Sequence, residues 1–258
     1  MAPKVLLCTG GHSGIGAATT RLFAKQGWAV LSCDINVTDQ FAALPNVESL
    51  KLDVTDEKAV AAAVAHCVKK WGSLDCAFAN AGISGGIAVF TECDEDEFTQ
   101  VLKVNVLGVF FLLKHAALAM QKLNKGGSLI STASVAGLRS GAGSTAYSAS
   151  KAAVVNMTQT VANQLAGTNI RCNCIAPGVI ETGMTKPLFD MADANNSRKR
   201  IGQLNAMRRY AQPEEVAAVA YFLGNEASSY VNGVTIPVDG GLSSSHPVVP
   251  RKPGKAAM

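Results

Sequence analysis

The feature that most constrains the fold of this chain is the regular alternation of short apolar runs with helical patterns along nearly its whole length. Seven runs have the length and composition of β-strands: 4–9, 28–34, 47–53, 74–80, 127–133, 170–176 and 234–239. The first six are mostly apolar on both faces, which is typical of parallel strands that helices cover on both sides. The alternation therefore predicts an α/β fold, with one doubly wound parallel sheet of about seven strands and helices on both faces.

Residues typical of helix ends indicate where two of the helices begin or end. Apolar side chains recur at helical spacing through 56–71, and Gly72 follows as a stop signal. Asp56 and Glu57 lie in the first turn of this segment, where negative charge suits the helix dipole. Pro213 precedes two glutamates and is expected to open a second helix, because the N–H that proline lacks would have no partner there.

Length and composition favour a single domain. The chain has 258 residues, of which 48% are hydrophobic and 16% charged, and no linker or repeat divides it. We therefore predict one domain over 1–242 and a C-terminal tail over 243–258. The polar, irregular segment 184–210 follows the sixth strand, and ligands of doubly wound sheets bind beyond the carboxyl ends of the strands. We interpret this segment as a lid over such a site; the alternative is a mobile surface loop.

Charge and cysteine usage narrow the classes of partner. The net charge is +4 and aromatic residues make up 6%, whereas a nucleic-acid interface needs a sustained basic face with interleaved aromatics. The seven cysteines form no C-x-x-C pair and the four histidines are scattered, so no metal site is expected. The apolar run 104–113 is too short to cross a bilayer, and the N-terminus does not read as a signal peptide. We expect a cytoplasmic protein that binds neither nucleic acid nor membrane.

A glycine-rich turn directly follows the first strand, in the stretch TGGHSGIG (9–16). Gly10, Gly14 and Gly16 let the backbone turn sharply and approach a ligand closely. The helix that begins there offers free N–H groups and the positive end of its dipole, which attract a pyrophosphate. The spacing is not G-x-G-x-x-G, so the fingerprint of dinucleotide-binding, Rossmann-type domains is matched only in part.

The second strand ends on an acidic residue, Asp34, which lies 18 residues after Gly16. A carboxylate at this place accepts hydrogen bonds from both hydroxyls of an adenosine ribose and repels a 2′-phosphate. The nearby His12, Ser13 and Ile35 supply no fixed cation for such a phosphate. The pattern therefore predicts that the cofactor is NAD rather than NADP.

Several separated motifs, taken in order, resemble those of the classical short-chain dehydrogenases/reductases. They span about residues 4–242 and are TGGHSGIG (9–16), DV (53–54), NAG (80–82), KVNVLG (103–108), STAS (131–134), YSASK (147–151) and PGVIET (177–182). The resemblance implies a single Rossmann-type domain, both dinucleotide-binding and catalytic, that acts on CH–OH groups with NAD or NADP. One departure is the short connection between the second and third strands, which leaves room only for a minimal helix and a more open adenine edge.

The resemblance also implies roles for individual residues. Asn105, Ser134, Tyr147 and Lys151 match the catalytic tetrad of the family, and Ser134 and Tyr147 would contact the substrate. Asn80 would lie near the adenosine ribose, Asp53 and Val54 near the adenine, and Ile180 and Thr182 near the nicotinamide amide. The full set implied for the cofactor is Gly10, Ser13, Gly14, Ile15, Gly16, Asp34, Asp53, Val54, Asn80, Tyr147, Lys151, Ile180 and Thr182.

The spacing of Tyr147 and Lys151 suits acid–base chemistry. Four residues is about one helical turn, so the two side chains share a face. A tyrosine with a pKa of about 10 is a poor base near neutrality, and a neighbouring ammonium group lowers that pKa. We therefore predict that Tyr147 carries the proton of an alcohol, while Lys151 lowers the pKa of the phenol and holds the nicotinamide ribose.

Two other members of the tetrad each allow two interpretations. Ser134 either orients the substrate oxygen toward Tyr147 or caps the end of a strand. Asn105 lies in an apolar run, where an amide without a partner is costly. It either holds a water that leads from Lys151 to solvent or is a buried structural amide. Neither of the two serines within YSASK receives a role.

The segments expected around the substrate are largely apolar. They are 83–89, 135–143 and, in the lid, Met184, Leu188, Phe189 and Met191. These segments favour a medium-sized, mostly apolar alcohol or ketone, cyclic or steroid-like. Arg139 is the notable charge among them, and it either binds a substrate carboxylate or faces solvent.

The leading hypothesis is an NAD-dependent secondary-alcohol dehydrogenase or ketone reductase. Within the family, a dihydrodiol-type dehydrogenase that aromatises a cyclic diol is an alternative that the shortened connection weakly supports. A non-enzymatic dinucleotide sensor is another, but binding alone needs no Tyr147 paired with Ser134. Members of the family often form dimers and tetramers through the helices that hold 94–122 and 149–166, so we expect a homo-oligomer, either a dimer or a homotetramer.

Overall fold

A parallel sheet of seven strands, in the order β3-β2-β1-β4-β5-β6-β7, forms the centre of the computed structural model, which describes residues 2–86 and 88–244. The strands are β1 Val5–Thr9, β2 Ala29–Asp34, β3 Val47–Lys51, β4 Cys76–Ala79, β5 Gly127–Thr132, β6 Ile170–Pro177 and β7 Thr235–Val238. All six pairings between neighbours are parallel. The predicted α/β fold with one doubly wound sheet is confirmed, and each strand lies within its predicted run to within one residue.

Helices cover both faces of this sheet. They are α1 Gly14–Lys25, α2 Glu57–Trp71, α3 Glu95–Leu102, α4 Gly108–Leu123, α5 Thr145–Gln164, α6 Lys186–Ala194 and α7 Pro213–Gly224. Alternate residues of β1 enter the two apolar layers: Val5 and Leu7 pack with α2, α4 and α5, whereas Leu6 and Cys8 pack with α1 and α7. This two-sided burial explains why the strand sequences are apolar without alternation.

The predicted end signals of α2 and α7 are present in the structure. The carboxylate of Asp56 accepts hydrogen bonds from the N–H groups of Lys58 and Ala59 at 2.9 and 3.1 Å. Gly72 ends α2 in the left-handed conformation with φ 71°, which a residue with a side chain adopts at a cost. At the start of α7, Pro213 occupies the first turn, as expected.

The strand β3 differs from the prediction, because it is only half-buried. It lies at the edge of the sheet, where the helical layers end. Its Glu48 points to the surface and accepts hydrogen bonds from His66 at 3.0 Å and Lys70 at 2.7 Å, both on α2. The polar residues within 47–51 therefore mark an edge strand rather than a strand covered on both faces.

The connection between β2 and β3 is as short as the sequence predicts. It contains a single 3₁₀ turn, Asp39–Phe41, in place of a full helix. Phe41 is buried beside the glycine turn, at 5.0 Å between its ring centre and that of His12. The connection thus folds back onto the start of α1 instead of leaving that edge uncovered.

A continuous helical stretch, Glu95–Leu123, is long and apolar enough to cross a membrane by length and composition alone. It joins α3 to α4 through the π-turn Lys103–Leu107. Nearly half of its most apolar window, 44%, is buried inside the protein, and Leu112 and Met120 within it belong to the core. Core helices of globular domains meet the same criterion, so this feature is weak evidence for a membrane span.

The segment after β6, interpreted above as a lid, contains α6 and the short turn Arg198–Arg200. Phe189, Ala192 and Ile201 form a small apolar cluster of their own within it. The expectation that Phe189 lines the substrate cavity is therefore wrong, because its side chain is buried in this cluster. Of the predicted tail 243–258, all but the first two residues lie outside the described part of the chain.

Cysteine side chains are concentrated in the sheet. Six of the seven are buried free thiols, and only Cys93 is partly exposed. Burial raises the pKa of several of them, for example that of Cys8 and of Cys67 to about 12. Within residues 2–86 and 88–244, no group of three or more histidine, cysteine or acidic side chains is arranged to hold a metal ion.

Candidate active site

A cleft of about 380 Å³ opens at the carboxyl ends of the strands. This is where doubly wound sheets bind ligands. Of the residues that the sequence assigned to a site, the following line it: Gly10, Ser13, Gly14, Ile15, Asp34, Asp53, Val54, Asn80, Ser134, Tyr147, Lys151, Ile180 and Thr182. The remaining two, Gly16 and Asn105, lie directly behind the cleft wall.

The glycine turn forms the floor of one end of the cleft. Gly10 and Gly14 have φ values of 63° and 44°, in the region that favours glycine. A Cβ atom on Gly16 would lie 2.0 Å from the carbonyl oxygen of Gly10, so this position admits no side chain. Ser13 precedes α1 with no side-chain cap, and the first turn of the helix holds no acidic residue. These features leave N–H groups and a positive helix end available to an anion.

Asp34 is fixed at the end of β2 before any ligand arrives. One oxygen, Oδ2, accepts a hydrogen bond from the backbone N–H of His12 at 3.1 Å. The other, Oδ1, accepts one from the N–H of Asn36 at 3.0 Å. The carboxylate is thereby held against the glycine turn, while each oxygen keeps a lone pair for a further donor.

Asp53 and Val54 follow the edge strand β3, whereas Asn80 follows the central strand β4. Asp53 accepts hydrogen bonds at 2.8 Å from both the N–H and the hydroxyl of Thr55, which sets the local turn. Asn80 links three strands: its Nδ2 donates to the carbonyl of Gly10 at 3.2 Å, and its Oδ1 accepts from the hydroxyl of Thr132 at 3.1 Å. Asn80 therefore supports the centre of the sheet edge in addition to lining the cleft.

Lys151 is the one cationic side chain among the described residues that line the cleft. It is 2% exposed, and its Nζ donates to the carbonyl of Thr132 at 2.8 Å. The same Nζ lies 5.6 Å from the ring centre of Tyr147. Burial lowers the pKa of Lys151 from 10.5 to about 8, because a charged ammonium is poorly solvated there.

The pKa of Tyr147 differs in direction from what the sequence predicts. Burial raises the pKa of the phenol, and a hydrogen bond with the hydroxyl of Ser134 only partly offsets this rise. The expected lowering by Lys151 is absent in this arrangement, because the ammonium donates to the backbone at 2.8 Å and lies beside the ring. The Ser134 hydroxyl therefore does part of the tuning that the sequence assigned to Lys151.

Asn105 is held as a structural amide within the π-turn between α3 and α4. Its Oδ1 accepts from the N–H of Ile83 at 2.9 Å, while its Nδ2 donates to the carbonyl of Ile83 and to the hydroxyl of Ser150. A Cβ atom on Gly82 would lie 3.1 Å from this Oδ1 and 3.5 Å from Nζ of Lys151. Asn105 is thus close to Lys151 and is a buried structural amide, and its predicted role in holding a water stays a prediction.

Two contributing residues were missed by the sequence reasoning. Ser150 was given no role, yet it is fully buried, donates to the carbonyl of Tyr147 at 2.7 Å and accepts from Asn105 at 3.0 Å. Thr132 holds both Asn80, through its hydroxyl, and Lys151, through its carbonyl. A hydroxyl that ends a buried strand, two residues before Ser134, is the signal that could have indicated Thr132.

The segment after β6 bounds one side of the cleft. A Cβ atom on Gly14 would lie 2.8 Å from Cγ2 of Thr182, so this segment approaches the glycine turn closely. Thr185 fixes it, because its hydroxyl donates to the carbonyl of Ile180 at 2.5 Å and accepts from the N–H of Thr182 at 3.0 Å. Met184 lines the cleft, whereas Leu188 and Met191 do not.

Arg139 makes a contact that neither of its two interpretations includes. Its guanidinium donates to the carbonyl of Leu242 at 2.5 Å. The contact ties the loop that follows Ser134 to the segment after β7.

Comparison with known proteins agrees with this geometry. Residues 10–243 match a family described as enoyl-(acyl carrier protein) reductase. A 3-oxoacyl-[acyl-carrier-protein] reductase of Thermotoga maritima is 40% identical over 93% of this chain and 97% of its own length. The chain belongs to the short-chain dehydrogenase/reductase family. Momilactone A synthase of Oryza sativa subsp. japonica is 41% identical over 93% of this chain and 90% of its own length.

Other members differ in substrate and cofactor. A cis-4-hydroxycyclohexanecarboxylate dehydrogenase of Sinomonas cyclohexanicum is 37% identical over 94% of this chain and 98% of its own length. The crystal structure of levodione reductase superposes with a TM-score of 0.88, at 33% identity and over 94% and 98% of the two chains. A structure of ElxO with NADP bound superposes with a TM-score of 0.87, at 30% identity, over 95% of this chain and 100% of that one. The family as a whole therefore does not decide between NAD and NADP.

Proposed function

We propose that the protein is an NAD-dependent oxidoreductase that interconverts a mostly apolar, cyclic secondary alcohol and its ketone, with Tyr147 as the acid–base. The observation that carries this proposal is the convergence of Ser134, Tyr147 and Lys151 at one end of a cleft whose other end is a glycine turn. A nicotinamide dinucleotide, when bound, supplies the hydride donor or acceptor. The residues of the chain bind it, orient the substrate and move the proton.

The residues present fit such a cofactor. Gly16 leaves no room for a side chain beneath the turn, and Ser13 and the start of α1 offer uncommitted donors to a pyrophosphate. Asp34, pre-oriented by two backbone N–H groups, would take the ribose hydroxyls. Thr182 and Ile180 would face the nicotinamide end of the cleft.

Proton transfer is the task of Tyr147. In ketone reduction the phenol donates its proton to the carbonyl oxygen, and in alcohol oxidation the phenolate accepts the hydroxyl proton. The raised pKa of the phenol suits the donating role near neutrality. Ser134 would hold the substrate oxygen with its hydroxyl, and the buried ammonium of Lys151 would replenish the proton while binding ribose hydroxyls.

Preference for NAD follows from the charges around Asp34. Among the described residues that line the cleft, Asp34 and Asp53 are the other charged side chains besides Lys151. Lys151 lies on α5, at the Tyr147 end of the cleft, and does not neutralise a phosphate at the other end. A 2′-phosphate beside Asp34 would meet repulsion and no compensating cation among the described residues that line the cleft, whereas the free hydroxyl would meet an acceptor.

The class of substrate is inferred from the lining at the Tyr147 end and from the relatives. Ile83, Val104 and Met184 supply apolar surface to the cleft, and within residues 2–86 and 88–244 its charged lining is limited to Lys151, Asp34 and Asp53. One relative acts, by its name, on a hydroxylated cyclohexane ring. A cyclic, mostly apolar secondary alcohol or ketone suits this lining.

A spectrophotometric assay tests the proposal, with NAD and NADP each offered a panel of cyclic secondary alcohols. We expect turnover with NAD, and a fall in kcat of at least about 10³-fold in Tyr147→Phe with dinucleotide binding retained. Tyr230→Phe is the matched control, since Tyr230 is fully exposed. A near-normal rate in Tyr147→Phe would refute the assignment of the acid–base, and a clear preference for NADP would refute the reading of Asp34.

We also propose that the protein is a cytoplasmic homo-oligomer, a dimer or a homotetramer. The support is an apolar surface on and next to α4, where Leu107, Phe110 and Leu118 are 44%, 41% and 55% exposed. Burial of these side chains against a second copy would stabilise the assembly. Light scattering of the purified protein tests this by measuring the molecular mass in solution, and we expect Phe110→Glu to lower that mass. A monomeric mass for both the wild-type protein and the variant would contradict the proposal.

A further inference from the structure

We infer that His12 is a positioning residue that fixes the adenosine end of the cleft and thereby sets the preference for a ribose without a 2′-phosphate. The inference rests on the proposed binding of NAD and concerns a residue that does not itself line the cleft. His12 lies within the glycine turn, between Gly11 and Ser13.

Three contacts of this one residue hold the surrounding segments together. Its Nδ1 accepts a hydrogen bond from the N–H of Thr38 at 3.1 Å. Its backbone N–H donates to Asp34 at 3.1 Å, and its carbonyl accepts from Nε2 of Gln40 at 2.7 Å. Thr38 and Gln40 both belong to the connection after β2. His12 therefore joins the glycine turn, the ribose-binding carboxylate and this connection.

The ring of His12 is built into the protein. It is 8% exposed and packs edge-on against Phe41, with 5.0 Å between ring centres. Arg21 closes the outer side, because its guanidinium lies 5.5 Å from the ring centre of Phe41 and donates to Oε1 of Gln40 at 2.6 Å. This packing leaves the connection little freedom as long as the histidine ring remains in place.

The bond from Thr38 defines the protonation state of the ring. Because Nδ1 accepts, the neutral ring carries its proton on Nε2, which is buried without a hydrogen-bond partner in the described residues. Burial lowers the pKa of His12, although Asp34 opposes the change. A neutral ring offers no charge to a phosphate, despite being a histidine in a phosphate-binding turn.

The short connection makes this residue decisive. Between β2 and β3 there is one 3₁₀ turn and no helix that could brace the loop against the sheet. With the acceptor on His12 lost, the segment that begins with Ile35 would move away from the turn. The N–H of Asn36, which bonds to Asp34, would move with this segment, so Asp34 would be held less firmly and space would open beside it. NAD would bind more weakly, and the discrimination against NADP would decrease.

Two variants separate this role from a general packing role. His12→Leu keeps the apolar bulk but has no acceptor, whereas His12→Asn places an oxygen near the position of Nδ1. Titration calorimetry with NAD and with NADP requires no alcohol substrate. For His12→Leu we expect about tenfold weaker NAD binding, because one buried hydrogen bond is lost. We also expect a smaller ratio of the NADP dissociation constant to the NAD dissociation constant. For His12→Asn we expect both constants within about threefold of wild type.

The outcomes distinguish the inference from the proposal on which it rests. Wild-type protein that binds neither dinucleotide would refute the proposed cofactor. Wild-type protein that prefers NAD, together with an unchanged ratio in His12→Leu, would refute the role of His12 alone. If His12→Leu does not fold, His12→Phe removes the same acceptor while keeping a ring against Phe41. It should shift the ratio in the same direction, and an unchanged ratio there would overturn the inference.

Discussion

The buried charge of Lys151 gives a stability prediction that requires no knowledge of the substrate. The pKa of this side chain is about 8 in the folded protein, against 10.5 for an ordinary lysine. Between these pH values the unfolded chain holds the proton and the folded protein does not. Rising pH therefore favours the folded state through this range, and the contribution is lost as the pH falls through 8.

The expected magnitude follows from the difference between the two pKa values. Each pKa unit corresponds to about 1.4 kcal/mol. From pH 7 to pH 10.5, the free energy of unfolding of the wild-type protein should therefore rise by about 3 kcal/mol more than that of a protein with no ionisable group at position 151. Lys151→Met supplies that reference, since methionine has similar length and does not titrate. The loss of the hydrogen bond to Thr132 adds a constant offset that is independent of pH.

Urea unfolding at intervals from pH 7 to pH 10.5, under reducing conditions, measures this difference. Fluorescence of Trp28, which is 5% exposed, reports on the transition. Burial also raises the pKa of thiols such as Cys8 and Cys67 to about 12, which lowers stability at high pH, but both proteins share these thiols and the effect cancels. Parallel stability curves for the two proteins would refute the reasoning that the ammonium is buried at a cost.

Two further predictions concern backbone and loop geometry. In Gly16→Ala the new methyl group would lie 2.0 Å from a backbone oxygen, so we expect a loss of about 3 kcal/mol in urea unfolding. Gly183→Ala, which has open space around it, should change stability by less than about 0.5 kcal/mol; equal losses would contradict this difference. Arg198→Met removes the ion pair with Glu181 and should speed limited proteolysis within 184–210 severalfold, whereas the exposed Lys199→Met should not; equal rates would contradict the anchoring role.

Much of the architecture could be predicted from local patterns. The strands, the caps of α2 and the proline at the start of α7 depend on residues close together in the chain, and the sequence shows these directly. The half-burial of β3 differs from the prediction, although its sequence, VESLK, carries two charged residues. Such charges indicate an edge strand even within a regular alternation of strands and helices.

The cleft was predicted in position but less well in its electrostatics. The glycine turn, Asp34 and the residues of α5 meet where the sequence placed them. The direction of the pKa change of Tyr147 was wrong, since it depends on how deeply the ring is buried and on where the Lys151 ammonium points. Neither quantity is encoded in a spacing of four residues.

Contacts between distant segments could not be predicted. Ser150 bonds to Asn105 across 45 positions, and His12 bonds to Thr38 across 26. The π-turn that presents Asn105 has the same apolar periodicity as an ordinary helix. Roles of this kind depend on the packing of α3, α4 and α5 against one another, and they become visible only when the fold is known.

The distribution of the thiols has a practical consequence. Six of the seven cysteines are sealed within the sheet and its helices, and Cys93 alone is partly open. An alkylating reagent should therefore add one label to the intact protein and seven to a chain that has opened. Mass spectrometry of a timed alkylation would thus record how often the molecule opens, and slower labelling with NAD present would report cofactor binding without any catalytic turnover.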